Sequence, residues 1–191
     1  MPYFNDIIFI HIPKTGGTSV EKYFSKKFNI PLNFKSLYGI KGDYSSSLQH
    51  LTYLDLVKHK LVDFTDKKII TIVRNPYERI VSDLFWYRKI KKNTSSEDVC
   101  KIIKKYLMEK KLDNHNIPQH LFIKGASPIH IMRTETLKKD MNDLGYDFDI
   151  NVHKNKENVD YYSFLNKESI ALINDFYNTD FELFNYTKID V

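Results

Sequence analysis

The sequence IIFIHIPKTGGTS occupies residues 7–19 and joins an apolar run to a glycine-containing loop. The nearly unbroken apolar run at residues 7–12 predicts a strand buried on both faces, as in a parallel sheet. Residues 13–17 end that strand, and Thr18 can cap a helix that continues to about Phe28. This order of strand, loop and helix N-terminus favours an anion site, because backbone N–H groups and the positive end of the helix dipole meet at the loop.

The residue types in this loop suit a phosphate. Gly16 and Gly17 let the backbone wrap closely around an anion, Lys14 adds a positive charge, and Thr18 and Ser19 add hydroxyl donors. In a Walker A motif the lysine follows the last glycine, whereas Lys14 precedes both glycines. This order puts the ammonium on the approach side of the loop, where a leaving group would sit. The alternative is an ordinary strand–helix turn with a solvent-facing lysine.

A second junction of the same kind follows the β-branched residues 69–73, which predict another buried strand. Arg74 ends this strand, and Pro76 suits the first turn of a helix that continues to about Lys89. Because ligands bind at the carboxyl ends of strands in open α/β sheets, Arg74 is placed to make a forked contact to a phosphate. Ser82, on the same helix, either faces that anion or bonds back to a carbonyl.

The remaining patterns alternate between helix and strand and predict an α/β fold with a small central parallel sheet flanked by helices. The length of 191 residues favours a single domain over residues 1–191. The further predicted elements are helices at 51–59, after the cap residues 94–98, at 135–144 and after Asn166, with a third strand at 129–132.

The composition excludes several classes of protein. Hydrophobic residues make up 42% and charged residues 28%, which is ordinary for a soluble globular chain and predicts no membrane span. The single cysteine, Cys100, excludes an internal disulfide and a cysteine-rich zinc site, and it fits a cytoplasmic location. A net charge of +5 suits an anionic ligand but is too small to indicate nucleic acid.

Taken together, the two junctions resemble one enzyme family. Residues 11–19 are similar to the 5′-phosphosulfate loop of sulfotransferases that use 3′-phosphoadenosine 5′-phosphosulfate (PAPS), and residues 74–82 are similar to their 3′-phosphate motif. The likeness is greatest to the carbohydrate branch that includes the heparan-sulfate 2-O-sulfotransferases, and residues 132–137 and 180–186 also resemble that branch. The resemblance implies a P-loop-like sulfotransferase fold.

The resemblance also implies roles for individual residues. Lys14 would contact the 5′-phosphate and the bridging oxygen of the donor, and Arg74 and Ser82 would hold the 3′-phosphate. No metal is implied, since a cation can stabilise the charge that develops on the departing phosphate. The residues that would wrap the 5′-phosphate are Thr15, Gly16, Gly17, Thr18 and Ser19.

The reaction also needs a base for the acceptor hydroxyl. His50 lies between the two phosphate motifs and resembles in position the histidine that serves as base in the 2-O-sulfotransferase branch. If the pKa of His50 is unperturbed, at about 6.5, turnover would fall below that pH. The alternative bases are His11 and Glu21, and His120 is a candidate contact to the acceptor. If His50 has no catalytic role, it is an exposed surface histidine. If Glu21 has none, it complements the helix dipole.

Two basic features have structural explanations as well. Arg79 lies within reach of Glu78 and Asp83 and is interpreted as part of an ion pair. The basic residues His153, Lys154 and Lys156 either close over the nucleotide or form a solvated surface.

The sequence therefore predicts an enzyme that transfers a sulfuryl group from PAPS to a hydroxyl acceptor, a carbohydrate or another small alcohol. The alternatives are a P-loop-type kinase that uses ATP and magnesium, and a non-catalytic binder of anionic polymers. The acceptor, the position sulfated and the oligomeric state stay open at this point.

Overall fold

A computed structural model describes residues 3–39, 46–110, 112–149 and 159–191. Within these residues the centre is a four-stranded sheet in the order β1-β2-β3-β4. The strands are β1 (Tyr3–Phe4), β2 (Ile7–Ile10), β3 (Lys68–Val73) and β4 (His130–Arg133). β2, β3 and β4 run parallel, whereas β1 pairs with β2 in the antiparallel sense. The predicted α/β fold with a small parallel sheet is confirmed.

Helices flank this sheet. Short 3₁₀ turns lie at Leu48–His50, Thr134–Thr136 and Tyr161–Phe164. The α-helices are α1 (Gly17–Phe28), α2 (Phe34–Tyr38), α3 (Tyr53–Lys58), α4 (Pro76–Trp86), α5 (Ser96–Met108), α6 (Gln119–Phe122), α7 (Leu137–Asp143), α8 (Lys167–Phe176) and α9 (Asn178–Leu183).

The residues of β2 supply two hydrophobic cores, because successive side chains of a strand point to opposite faces. Ile7 and Phe9 pack in one core with α1 and α7, whereas Ile8 and Ile10 pack in another with α3 and α6. All four side chains are fully buried. The sheet is therefore covered on both faces, which fixes the strand ends that carry the loops.

A third core lies behind α4 and joins it to α5, α8 and α9. It contains Tyr77 and Leu84 of α4 together with Ile103 and Ile173. Cys100 of α5 is 2% exposed, its thiol lies 3.4 Å from a carboxylate oxygen of Glu168, and burial raises its pKa. This core packs against one face of α4 and leaves the opposite face of that helix towards the loop after β2.

The helix after the first loop begins differently from the prediction. Thr18 is not the cap: Gly16 is the N-cap residue, with a φ of 92° and no side-chain hydrogen bond. Glycine adopts this left-handed conformation without the steric penalty of a Cβ. The first strand also ends at Ile10 rather than Ile12, so the loop is longer than predicted.

The other predicted elements are confirmed with small shifts. α8 begins after Asn166, whose side chain forms a capping box with Ser169. α7 begins at Leu137 instead of Glu135, because the preceding residues form a 3₁₀ turn, and Gly145 ends the segment with a φ of 84°. The short helices α2, α6 and α9 were not predicted. Among the described residues, no helix is both long enough and apolar enough to cross a membrane.

Candidate active site

A cavity of about 610 Å³ lies where the loop after β2, the start of α1 and one face of α4 meet. The turn Leu48–His50 and the segment around Asp113 complete its wall. The predicted site residues that line it are Lys14, Gly16, Gly17, Thr18, Ser19, His50, Arg74 and Ser82. The structure thus brings together two motifs that are separated by about sixty residues in the sequence.

Thr15 is the exception among the predicted loop residues. Its side chain is fully buried, and its hydroxyl donates to the carbonyl of Ile12 at 2.8 Å. The carbonyl of Thr15 accepts from the hydroxyl of Thr134 at 2.7 Å. Thr15 therefore anchors the loop to the protein, and its hydroxyl does not face the cavity.

Gly17 is required by close packing. A Cβ at this position would lie 2.3 Å from Cδ2 and 2.4 Å from Nε2 of His11, distances that no real carbon adopts. The imidazole of His11 therefore lies directly against the start of α1.

Lys14 lies at the edge of the cavity in a left-handed backbone conformation, with a φ of 68°. Its Nζ is 4.5 Å from the centroid of the Trp86 ring, which is within the range of a cation–π interaction. Trp86 is 65% exposed and lines the cavity from the last turn of α4. Sequence reasoning missed Trp86, because an aromatic near a helix end is usually part of a core.

Arg74 is held rigidly at the end of β3. Its guanidinium donates to Glu78 at 2.8 Å and to the carbonyl of Lys14 at 3.3 Å, and it lies 5.0 Å from the ring centroid of Tyr161. The side-chain amide of Gln119 bonds both the N–H and the carbonyl of Arg74. Although Arg74 is only 2% exposed, it borders the cavity.

Arg79 does not form the predicted ion pair with Glu78 or Asp83. Its buried guanidinium instead donates to three backbone carbonyls, those of Pro13 at 3.1 Å, His115 at 2.7 Å and Ile117 at 2.9 Å. Because these carbonyls belong to two different loops, Arg79 joins the phosphate-loop segment to the segment after α5.

His11 and Glu21 form one buried pair beside the cavity. Nδ1 of His11 lies 2.9 Å from Oε1 of Glu21, and the side-chain amide of Gln49 donates to Oε2 at 2.8 Å. Burial tends to raise the pKa of Glu21, but the interactions with His11 and Gln49 outweigh it and lower the pKa below its usual value. Glu21 is buried and lies beyond the first turn of α1, which holds no acidic residue, so it is not the first-turn helix-dipole residue of the alternative prediction.

His50 is buried, with 7% of its surface exposed, and is not a surface histidine. Its Nδ1 lies 2.8 Å from Oδ2 of Asp113, and its ring meets those of His11 and His115 nearly at right angles, with centroids 5.3 Å and 4.8 Å away. Burial lowers the pKa of His50 to about 4, although the hydrogen bond with Asp113 opposes this shift. The pKa therefore lies below the value of about 6.5 that an unperturbed imidazole would have.

Asp113 and His115 are cavity residues that sequence reasoning missed. Nδ1 of His115 lies 2.8 Å from Oδ1 of the fully buried Asp83, whose other oxygen accepts from the hydroxyl of Tyr106. The only signal in the sequence is a histidine flanked by asparagines shortly after an aspartate, in a segment with neither helical nor strand periodicity.

The other predicted candidates lie elsewhere. His120 forms a hydrogen bond through Nδ1 with the fully buried Asp180 at 2.7 Å, and it does not line the cavity. The basic residues His153, Lys154 and Lys156 lie outside the described residues.

Within the described ranges, one group of side chains has the composition of a metal site. His50, Asp113 and His115 each offer a ligand atom within 4.8 Å of the others. Nδ1 of each histidine already has a carboxylate partner, Asp113 for His50 and Asp83 for His115. In this structure these three side chains take part in hydrogen bonds between imidazoles and carboxylates.

The sequence model of the sulfotransferase family matches residues 3–187 of the chain. No curated protein and no solved structure gives a significant match. The match to the family covers both phosphate motifs and all the cavity residues described above, and it does not single out the carbohydrate branch.

Proposed function

This chain belongs to the sulfotransferase family, and from that premise we propose that it transfers the sulfuryl group of PAPS to a hydroxyl of a carbohydrate or another small alcohol. The observation that carries the proposal is the convergence of Lys14, Arg74 and His50 on one cavity. A volume of about 610 Å³ lies within the range of roughly 300–1,000 Å³ that is usual for small-molecule sites.

The residues of the cavity suit the two ends of the donor. The start of α1 and the loop before it would hold the 5′-phosphate with backbone N–H groups. Arg74 and Ser82 would hold the 3′-phosphate, which is the group that distinguishes PAPS from ADP and ATP. The guanidinium is already held by Glu78 and the carbonyl of Lys14, so little side-chain entropy is lost when an anion binds.

The proposed reaction is a direct transfer between two oxygens. His50, neutral at physiological pH, takes the proton of the acceptor hydroxyl, and the hydroxyl oxygen attacks sulfur. The bond between sulfur and the bridging oxygen breaks, and the electron pair stays on the 5′-phosphate of 3′-phosphoadenosine 5′-phosphate (PAP). Lys14 stabilises the charge that grows on this leaving group.

The pKa of His50 sets the pH range of this reaction. Because the pKa lies at about 4, the base stays neutral well below the pH expected for an unperturbed histidine. We therefore expect turnover to fall only as the pH approaches that value, since a protonated imidazole cannot accept a proton. Glu21, whose pKa is also lowered, would give a similar acid limb, so His50→Ala is needed to separate the two.

The kinase alternative is less well supported by the residues present. Arg74 and Asn75 follow β3, at the position where a magnesium-binding aspartate is expected in a P-loop kinase. Among the residues that the structure describes, the carboxylates that line the cavity are Glu21 and Asp113, and each bonds an imidazole. Together with the family membership, these contacts favour sulfuryl transfer. The single-domain organisation and the cytoplasmic location predicted from the sequence remain part of the proposal.

A thermal-unfolding comparison of PAP with ADP tests the donor site. At about a hundred times its dissociation constant a ligand adds roughly 2.7 kcal/mol to the unfolding free energy, so PAP is expected to raise Tm clearly and ADP far less. Arg74→Ala should remove most of the advantage of PAP, and Arg88→Ala, an exposed arginine of the same region, should keep it. Equal shifts with PAP and ADP would count against the proposal.

The reaction itself is tested with labelled PAPS and a panel of sugars and small alcohols, in buffer with chelator and in buffer with magnesium. Transfer of label in chelator supports the proposal. Phosphate transfer from ATP that depends on magnesium would instead establish the kinase alternative. Binding of anionic polymers with a steep salt dependence and no turnover would establish the non-catalytic alternative.

A further inference from the structure

We infer that Asp113 is a positioning residue, which holds a proton on Nδ1 of His50 and thereby leaves Nε2 as the nitrogen that accepts the proton of the acceptor. The inference deepens the proposed function, on which its catalytic part rests. Asp113 has no role in the sequence-based prediction; its role follows from its contacts with His50 and Ser47.

The hydrogen bond between His50 and Asp113 fixes the tautomer of the imidazole. Nδ1 and Oδ2 are 2.8 Å apart, and an ionised carboxylate can only accept a hydrogen bond. Burial tends to raise the pKa of Asp113, but hydrogen bonds from His50 and Ser47 lower it below its usual value, so the carboxylate is ionised at neutral pH. The proton of a neutral His50 must therefore lie on Nδ1.

The carboxylate of Asp113 is itself immobilised by the chain that leads to His50. The N–H of Ser47 donates to Oδ1 at 2.5 Å, and the hydroxyl of Ser47 donates to Oδ2 at 2.8 Å. One carboxylate therefore accepts three hydrogen bonds from the segment 47–50. Such contacts lock a base in one orientation, which is what proton transfer at a defined atom requires.

The backbone around Asp113 is strained in a way that serves this contact. Asp113 and Asn114 are successive residues in the left-handed region, with φ values of 48° and 62°. The side-chain amide of Asn114 donates to the backbone carbonyl of His50 at 2.9 Å, so the same two residues hold both the ring and the main chain of His50. Strain of this kind persists where the surrounding contacts determine the conformation, and it concentrates at functional sites.

The other charged or titratable groups around His50 have partners of their own. His11, from the end of β2, is bonded to Glu21 of α1, and His115 is bonded to Asp83 of α4. Among the carboxylates in the described part of this wall, Asp113 is the one that bonds His50. The tautomer of His50 should therefore respond to Asp113 and not to Glu21 or Asp83.

Asp113→Asn is the informative substitution, because the site dictates how the amide sits. The N–H of Ser47 requires an acceptor at the position of Oδ1, which places the amide oxygen there and the NH₂ group at the position of Oδ2, facing Nδ1 of His50. An NH₂ group can only donate, so Nδ1 must lose its proton and Nε2 must gain it. The substitution keeps the shape of the side chain and inverts the tautomer.

The experiment combines nitrogen NMR of the histidine rings with kinetics. His50→Ala identifies the His50 signals. In the wild-type protein at neutral pH we expect the Nδ1–H tautomer, and in Asp113→Asn the Nε2–H tautomer. We expect Asp113→Asn to lower turnover by about a hundredfold to ten-thousandfold, the range for loss of a correctly protonated base, and to leave PAP affinity unchanged. Asp140→Asn, whose carboxylate bonds Arg133 and Thr136 away from the cavity, is the matched control and should change neither readout.

The outcomes separate this inference from the proposed function. An Nε2–H tautomer in the wild-type protein would overturn the inference without any variant, so a failure of Asp113→Asn to fold leaves the test intact. Normal turnover of Asp113→Asn would overturn it as well. If the wild-type protein transfers no sulfuryl group to any acceptor, the proposed function fails, whereas the NMR result still supports or overturns the contact of Asp113 with His50.

Discussion

Lys14 lies beside an aromatic ring at the edge of the cavity. Its backbone is in the left-handed region, and the centroid of the Trp86 ring lies 4.5 Å from its ammonium. An ammonium over an indole face is stabilised by roughly 0.5–1 kcal/mol at an exposed site. Trp86 therefore biases where the positive charge rests before the donor binds.

Replacing Lys14 with alanine is expected to lower turnover by about a hundredfold or more, because one preorganised contact to the developing charge is lost. PAP affinity should fall much less. Initial rates at saturating PAPS and a PAP titration measure the two effects, and Lys26→Ala, an exposed lysine of α1, serves as the control. Near-normal turnover with weak PAP binding would show that Lys14 contacts only the ground state.

At the scale of elements, Arg79 connects α4 to two loops through three carbonyls. A hydrogen bond to a charged group contributes about 1.5–3 kcal/mol, and removing this donor leaves buried carbonyls unpaired. We expect Arg79→Met to lower the unfolding free energy by about 3 kcal/mol or more, measured by urea denaturation. A loss as small as that of Arg88→Ala would show that water replaces the guanidinium.

The elements that could be predicted from the sequence are those specified locally. β2 and β3 follow from their continuous apolar runs, α4 from Pro76, and α8 from the capping residue Asn166. By contrast, α6 was not predicted, because its first N–H groups are capped by Asp180, a residue about sixty positions away in the chain. A helix of four residues has too little local pattern to be recognised.

The candidate site was predictable to the same extent. Lys14, Arg74, Ser82 and His50 lie on segments with recognisable motifs, and the structure brings them to one cavity. The partner of His50 was not predictable, since Asp113 lies in a loop 63 residues away. The depressed pKa of His50 also depends on burial among His11, His115 and Asp113, which no local pattern reveals.

For the whole molecule, the buried neutral His50 makes stability depend on pH. Its folded-state pKa of about 4 lies below the ordinary value of 6.5, so the unfolded chain binds a proton more readily in this range. The unfolding free energy therefore falls as the pH drops from about 6.5 towards about 4. Between about pH 7 and about pH 5, this one group removes roughly 2 kcal/mol.

His50→Gln should flatten this dependence, because glutamine does not titrate. Urea denaturation of both proteins at several pH values measures the difference. Glu21 and Asp113 also have lowered pKa values. The stability that such carboxylates contribute is lost only as the pH falls towards their folded-state pKa values. Their effect therefore comes below the pH range in which His50 acts. Parallel curves for the two proteins would mean that the pKa of His50 is the same in the folded and unfolded states.

The buried Cys100 offers a way to follow how the molecule opens. It is the single cysteine of the chain, and because it is 2% exposed we expect an aromatic disulfide reagent to reach its sulfur mainly when α5 separates from α8. The release of one coloured thiolate per molecule therefore counts opening events under native conditions. Because α4 belongs both to the core beside Cys100 and to the wall of the cavity, a nucleotide that binds the closed form should slow the labelling. The labelling rate of the thiol then reports how much of the cavity is occupied by nucleotide, although Cys100 does not line the cavity.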